Sequence, residues 1–178
     1  MVAEAICEGV KAAGVGCDAY DLVPLGDKGI STILEKFETA KGLLLGTPTI
    51  VGEALPPIWT LATALNPVVH QNRFVGVFGS HGWSGEGTRN IQTRVDQVRV
   101  QAPLDPFEVI FKPTQENLKA AIEWGNKFGR AVKGECINER KVKISEGKPK
   151  IAYPTDGKLR RWKCIVCGEI VVGTVPPL

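Results

Sequence analysis

The sequence lacks the features that mark membrane, secreted and repetitive proteins. No apolar run reaches the roughly 18 residues that a membrane-spanning helix needs. The first residues include Glu4 and Glu8 and no basic segment, which argues against a secretory signal. No internal repeat or low-complexity tract is present. Hydrophobic residues at 43% and charged residues at 23% are close to the average of folded domains, which excludes disorder as the main state.

Cysteine is unevenly placed. There are five cysteines, an odd number, so they do not form a complete set of disulfide pairs. Cys7, Cys17 and Cys136 are isolated, whereas Cys164 and Cys167 form a C-x-x-C motif. Isolated cysteines without a signal peptide are typical of a reducing compartment. We therefore expect a cytoplasmic protein with no membrane segment.

Positive charge is concentrated near the C-terminus. Residues 1–132 contain 12 Lys/Arg and 14 Asp/Glu, whereas residues 133–163 contain 10 Lys/Arg and 4 Asp/Glu. Such a stretch can bind nucleic acid or an acidic protein, or it can be a solvated linker. No aromatic residue stands among the charges before Tyr153, which favours the linker and argues against a nucleic-acid partner.

Apolar spacing along residues 1–132 predicts helices and strands in alternation. We predict helices over 1–13, 31–37, 56–65, 86–98 and 114–128, with Ser31 and Thr114 as caps, and strands over 15–22, 42–46, 74–78 and 107–111. The strands are short and largely apolar, as in a sheet that is buried on both faces. This alternation predicts an α/β fold with a parallel sheet and helices on both faces.

The predicted order opens on a helix, although such a sheet normally opens on a strand. We therefore expect a fragment that lacks the first strand. Composition changes after residue 132 and again after residue 160, so three parts are predicted: a main domain at 1–132, a basic linker at 133–160 and a small unit at 161–178. Within the linker, residues 141–153 form either a small hairpin or a flexible tether.

A first glycine-containing loop is predicted after the strand at 42–46. Ligands of an open parallel sheet bind beyond the carboxyl ends of its strands. In Gly46-Thr47-Pro48-Thr49-Ile50-Val51-Gly52, Gly46 allows a ligand to approach the backbone closely. Thr47 and Thr49 supply hydroxyls and amides that can hydrogen-bond a planar heterocycle. The alternative is a turn in which these residues serve geometry alone.

A second such loop is predicted after the strand at 74–78. It reads Gly79-Ser80-His81-Gly82-Trp83-Ser84-Gly85-Glu86-Gly87, and its glycines permit a backbone that lies flat against a ligand. Trp83 is costly to leave exposed unless it packs on something, either a ligand or its own domain. Because two such loops follow two buried strands, we predict a binding crevice between them.

These two loops resemble the flavodoxin domain of flavodiiron proteins, also called A-type flavoproteins. The resemblance rests on G-T-P-T and F-G-S-H-G-W-S-G-E, and the opening M-V-A-E-A-I-C-E-G-V is similar to the first helix of that domain. It covers residues 1–132 and implies a flavodoxin-like three-layer sandwich that binds FMN. The residues that it places against the isoalloxazine are Thr47, Pro48, Thr49, Ile50, Ser80, His81, Gly82, Trp83 and Gly85, with His81 or Trp83 against the ring.

The sequence departs from the family pattern at several points. Val51 and Gly52 stand where many relatives have a polar residue, and His81 stands where a Tyr is more usual. The loop that cradles the FMN phosphate in flavodoxins would precede Met1. We therefore expect this chain alone to bind FMN weakly or not at all.

The C-terminal residues contain half of a metal site. The run R-W-K-C-I-V-C-G-E-I resembles the first half of a rubredoxin, which implies that Cys164 and Cys167 are two of four iron ligands. The second C-x-x-C would be expected a few residues after Pro177. The alternatives are a zinc ribbon, a thioredoxin-type dithiol, and a surface turn with two free thiols.

The resemblance implies an electron-transfer module. In a flavorubredoxin-like parent, a redox donor protein or reductase passes electrons through the rubredoxin iron to FMN. They then reach a diiron site in an upstream β-lactamase-like domain that reduces oxygen or nitric oxide. This chain has only His70 and His81, with no acids clustered beside them, so we expect the diiron chemistry elsewhere. Head-to-tail homodimers are usual in the family, and we expect one here.

Two other functions remain open. One is a free-standing NAD(P)H or quinone reductase on the same scaffold, against which the C-x-x-C motif argues. The other is a response-regulator domain, which needs an Asp at the end of its third strand, where Gly46-Thr47-Pro48 stands instead.

Overall fold

In a computed structural model the chain divides into two compact units, Met1–Lys141 and Val142–Leu178. The structure describes residues 1–70, 72–137, 160–163 and 170–173, and of the last two segments it describes the backbone. No helix among these residues is both long and apolar enough to cross a bilayer.

Helices and strands alternate along the first unit. Their bounds are α1 Val2–Ala12, α2 Leu22–Phe37, β1 Gly42–Ile50, β2 Glu53–Ala54, α3 Pro56–Ala64, β3 Phe74–His81, α4 Glu86–Val98, β4 Phe107–Ile110 and α5 Gln115–Val132. Local sequence signals set several of these bounds. Pro56 opens α3, where a proline costs no helical hydrogen bond. Thr114 and Asn117 form a reciprocal capping box at the start of α5, which confirms the predicted cap.

The strands of the first unit form one mostly parallel sheet in the order β2-β1-β3-β4. β1 and β3 pair in parallel from Gly42 opposite Phe74 to Pro48 opposite Ser80. β3 and β4 are also parallel, whereas β2 is a two-residue antiparallel strand that pairs with the end of β1. All three parallel strands therefore end at the same edge, here called the carboxyl edge.

Helices cover both faces of the sheet, which makes three layers. On one face, α2, α3 and α4 bury a core that includes Phe37, Leu61 and Ile91 against Val75 and Val77 of β3. On the other face, α1 and α5 bury a second core that includes Ile6 and Phe128. Each such side chain contributes roughly 1.5–3 kcal/mol when it is fully buried. The predicted α/β class with helices on both faces is confirmed.

Glycines bring α1 and α5 into backbone contact. A Cβ added to Gly9 would lie 1.9 Å from the carbonyl oxygen of Ile122, and one added to Gly125 would lie 2.1 Å from that of Ile6. Real Cβ atoms do not approach backbone so closely, so neither position accepts any side chain while the helices stay in place. Gly129 of α5 makes the same kind of close contact with α1 in this interface.

Three sequence-based expectations are wrong in detail. Residues 15–21 form no strand, and α2 begins at Leu22 rather than at Ser31, which lies inside it. The cause is Asp21, whose carboxylate accepts a hydrogen bond from the N–H of Val23 at 3.0 Å and so starts the helix early. The helix then bends at Gly26, where φ is 54°. β1 also continues four residues past Gly46.

The second unit contains an antiparallel pair of strands, β5 Arg160–Lys163 and β6 Ile170–Gly173. Lys163 lies opposite Ile170, so the pair flanks residues 164–169. The predicted metal ligands Cys164 and Cys167, and the hairpin expected at 141–153, lie outside the described residues.

Candidate functional site at the carboxyl edge

The two loops predicted from the sequence lie side by side. Thr47 of β1 is in register with Gly79 of β3, and Pro48 with Ser80. On the far side of β3, His81 is in register with Ile110 of β4. The ends of three neighbouring strands therefore form a single surface, which is where ligands bind in open parallel sheets.

The two threonines of the first loop hold the edge together. The Thr47 side chain is almost fully buried. Its hydroxyl donates to the carbonyl of Pro48 at 2.9 Å and accepts from the N–H of Leu55 at 3.0 Å. The Thr49 hydroxyl accepts from the N–H of Gly87 at 3.2 Å, which ties the end of β1 to the first turn of α4. Thr47 Oγ1 is thus occupied by its own chain.

Gly46 serves packing within the sheet. A Cβ at this position would lie 2.3 Å from Cζ of Phe78, whose ring fills the space beside the glycine. The structure therefore gives Gly46 a packing role that the sequence did not indicate. The reason is that β1 continues past Gly46, so this residue lies inside the strand, in register with Phe78.

Large apolar side chains are exposed along the carboxyl edge. We call this set the apolar rim: Ile50, Val51, Trp83, Ile110 and Phe111. Its members lie at or just after the ends of three different strands. The indole of Trp83 is 90% exposed and Val51 is fully exposed. Exposed apolar patches on a folded domain mark binding surfaces.

His81 lies beneath the loop and does not join the rim. Its side chain is only 9% exposed, and Nε2 is 3.8 Å from Oε2 of Glu108 on β4. Its Nδ1 is buried and has no hydrogen-bond partner among the described residues. The His81 ring packs against Gly85, where an added Cβ would lie 2.8 Å from it. Of the two rings predicted to face a ligand, Trp83 points outward.

The remaining predicted residues of the second loop shape the turn into α4. Ser80 is half-buried at the end of β3, and Gly82 lies under the ring of Phe111. Gly85 has a φ of 67° and is the N-cap of α4. Next to it, the Ser84 hydroxyl donates to Glu86 at 2.6 Å, and this bond is the main cause that lowers the pKa of that carboxylate.

Glu53 connects the edge to two helices, a role that its sequence context did not indicate. Its carboxylate accepts hydrogen bonds from the N–H of Ala54 at 2.9 Å, from Nε1 of Trp59 on α3 at 3.0 Å, and from Nδ2 of Asn90 on α4 at 3.1 Å. The backbone bond from Ala54, followed by that from Asn90, lowers the pKa of Glu53. A charged Glu53 therefore holds α3, α4 and the end of β1 together.

The third strand end was missed. Ile110 and Phe111 looked like the close of an ordinary apolar strand, yet both are exposed, and the ring of Phe111 meets that of Trp83. The signal that could have found them is the topology, because a strand that pairs in parallel with β3 ends at the same edge of the sheet. Within the described part of the chain, no group of three or more His, Cys, Asp or Glu side chains is placed to hold a metal ion.

A three-layer α/β domain whose parallel strands end together at one exposed edge belongs to the doubly wound class, whose members bind ligands at that edge. The family model described as Flavodoxin matches residues 1–125, and the chain belongs to this family.

Relatives of the chain include flavodiiron and diflavin proteins. The chain is 31% identical over 133 residues to the flavo-diiron protein FprA2 of Clostridium acetobutylicum, a match that covers 74% of this chain and 33% of that protein. It is 32% identical over 166 residues to the putative diflavin flavoprotein A 5 of a Nostoc species, covering 93% of this chain and 27% of that protein. The chain thus spans a third or less of these relatives.

Solved structures show the same likeness. The metal-soaked flavodiiron core of Flv1 from a Synechocystis species superposes with a TM-score of 0.65 at 31% identity, over 75% of this chain and 32% of that one. Rubredoxin:oxygen oxidoreductase from Desulfovibrio gigas superposes with a TM-score of 0.67 at 23% identity, over 75% and 32% of the two chains. This last match supports the fold alone.

Proposed function

We propose that this chain is an FMN-binding electron-transfer module whose flavin ring binds on the apolar rim. The observation that carries the proposal is Trp83, a 90% exposed indole at the carboxyl edge of a flavodoxin-family sheet. Leaving so large an apolar face in water is unfavourable, and a planar aromatic ligand would cover it.

The residues of the edge fit an isoalloxazine. Ile50, Val51 and Trp83 present apolar surface on two adjacent loops. Pro48, in register with Ser80, lies where the two loops meet, so the backbone groups on either side of this pair can bond the polar edge of the ring. FMN supplies reversible one-electron chemistry, and the chain supplies orientation and electrostatics. Glu53 and Glu86, each kept ionised by its hydrogen bonds, place negative charge near the rim, which disfavours added negative charge on the flavin.

The names of the relatives support a finer proposal. Proteins named flavodiiron and diflavin flavoproteins match this chain over a third or less of their own length. We therefore propose that the module belongs to a cytoplasmic redox protein and passes electrons to a diiron site in an upstream domain that reduces oxygen or nitric oxide. A redox donor protein or reductase, a rubredoxin-type iron at Cys164 and Cys167, and a homodimeric assembly complete this proposal.

A flavin titration tests the proposal. Riboflavin and FMN are titrated into the chain while tryptophan and flavin fluorescence are recorded. Riboflavin shares the ring and lacks the phosphate, so the expected result is weak but saturable quenching by both ligands, of similar size for the two. Trp83→Ala removes most of the binding, whereas the matched variant Trp59→Phe, which lies on α3, leaves it in place. Absence of saturable binding by either flavin up to about 1 mM, where binding is worth only ~4 kcal/mol, overturns the proposal.

A further inference from the structure

The residue after β4 has an unusual backbone and an exposed ring. Phe111 has a φ of 56°, in the left-handed region that bulky residues avoid, and it is 65% exposed. Its N–H donates to the carbonyl of His81, the last residue of β3, at 2.8 Å, so Phe111 continues the ladder between β3 and β4. Nothing in the fold's core requires a phenyl ring in this place.

The Phe111 ring supports the loop that carries Trp83. The two rings meet edge to face, with centroids 6.2 Å apart and planes at 70°. A Cβ on Gly82 would lie 3.1 Å from Cε1 of Phe111, so the phenyl ring fills the space over that glycine. An indole as exposed as that of Trp83 would otherwise be free to change rotamer. Phe111 therefore limits the orientations that Trp83 can adopt.

Strained backbone converges on the same edge. Among the described residues, three that are not glycine have positive φ: Val51, Arg99 and Phe111. Arg99 follows the last turn of α4 in the left-handed geometry that commonly ends helices. The other two belong to the apolar rim. Strain that persists at exposed positions is found at binding sites, where it holds side chains in a required orientation.

We propose that Phe111 is a positioning residue for the flavin ring and acts by holding the indole of Trp83 in the orientation that meets the isoalloxazine. The inference rests on the proposed function, because it assigns a role toward the same ligand. It adds a third loop, after β4, to the two that the sequence indicated. Pre-organising one aromatic side chain raises affinity by lowering the ordering cost of binding.

A double-mutant cycle tests the proposal in the full chain. Phe111→Ala is expected to weaken riboflavin binding about two- to tenfold, the range expected of an aromatic pair. In the Trp83→Ala background, the same Phe111→Ala change is expected to have no further effect. Phe111→Tyr keeps the ring and is expected to restore the affinity. Equal losses in both backgrounds would mean that Phe111 acts independently of Trp83, and the inference would be wrong.

Two further measurements separate positioning from a role in folding. Phe111→Gly relieves the positive φ, so its melting temperature is expected to equal or exceed that of the unmodified chain while its flavin affinity falls. The motion of the Trp83 indole is measured by time-resolved fluorescence anisotropy, with the signal of Trp83→Ala subtracted to remove the other tryptophans. Without ligand, this motion is expected to be faster in Phe111→Ala than in the unmodified chain. A lower melting temperature in Phe111→Gly, or an unchanged indole motion, overturns the inference. If the unmodified chain binds no flavin, the proposed function fails first and this inference falls with it.

Discussion

Where α1 meets α5, glycine removes side chains so that two backbones touch, whereas at the carboxyl edge glycine lets loops turn while large side chains remain in water. A Cβ added to Gly9 or Gly125 would clash with a backbone carbonyl of the facing helix, and the residues on the meeting faces of the two helices are buried. Trp83 and Phe111 are exposed and touch mainly each other. The first region is built for stability and the second for a ligand, so substitutions should separate the two properties.

The largest expected effect is on stability, at the helix interface. Gly125→Ala places a Cβ 2.1 Å from the carbonyl oxygen of Ile6, and α1 has to move away from α5. We expect the free energy of unfolding to fall by about 3 kcal/mol or more, measured by urea denaturation. Gly16→Ala is the matched control, because nothing lies within 4 Å of its Cβ position. Equal stability of the two variants would contradict the packing described for α1 and α5.

The second expected effect is on ligand binding, at the rim. Trp83→Ala should lower flavin affinity at least about tenfold, because the indole supplies the widest apolar face at the edge. The free energy of unfolding should change by no more than about 0.5 kcal/mol, since the side chain is exposed. Phe128→Ala provides the opposite case: it empties a buried site on α5 and should cost about 3–5 kcal/mol. If Trp83→Ala lowered the free energy of unfolding as much as Phe128→Ala does, the rim would also be needed for stability and the two regions would not differ in this way.

The third prediction concerns the contact between loop and ring beneath the rim. Gly85 has a φ of 67°, and a Cβ there would lie 2.8 Å from the His81 ring. Gly14 has a φ of 80°, and a Cβ there would lie 3.7 Å from the flexible end of Lys133. Both alanine variants pay the cost of positive φ, about 1–2 kcal/mol. Gly85→Ala should therefore lower the melting temperature more than Gly14→Ala does. Adding His81→Ala to Gly85→Ala should remove this extra loss.

The smallest expected effect depends on pH. Hydrogen bonds lower the pKa of Glu53 in the folded state, so its contribution to stability is present above the pKa of the unfolded chain and is lost as pH falls through the folded value. Glu53→Gln should therefore lower the melting temperature at pH 7 and have less effect below about pH 4, near the ordinary glutamate pKa. Trp59→Phe removes one donor to the same carboxylate and should show a weaker form of this dependence. A difference in melting temperature that stays constant with pH would exclude this role.

The sequence was most informative where local signals suffice. The helix at 86–98 was predicted with the bounds that α4 has, because Gly85 precedes it and its apolar spacing is regular. The α5 cap at Thr114 is likewise local. Residues 15–22 have a strand-like composition, but a strand exists only where a neighbour pairs with it, and composition does not specify neighbours. Asp21 also competes there by starting a helix.

The site was harder to predict than the fold. The loops at 46–52 and 79–87 were found because glycines follow apolar strands. The roles of single residues within them could not be predicted, because Thr47 and His81 turn inward. They do so through contacts with Leu55 and Glu108 that no local motif specifies. Phe111 carried no motif at all. Its importance depends on strand order, which places β4 beside β3.

The contact between Gly46 and Phe78 has a consequence for sequence variation in this family. The phenyl ring occupies the volume in which any Cβ at position 46 would lie, so the two positions behave as one unit of fixed total volume. Relatives that carry a side chain at position 46 should carry a smaller residue than phenylalanine at position 78, and designed libraries should vary the two together. A double substitution that places a larger side chain at position 46 and a smaller one at position 78 would then preserve the sheet, although either substitution alone would damage it.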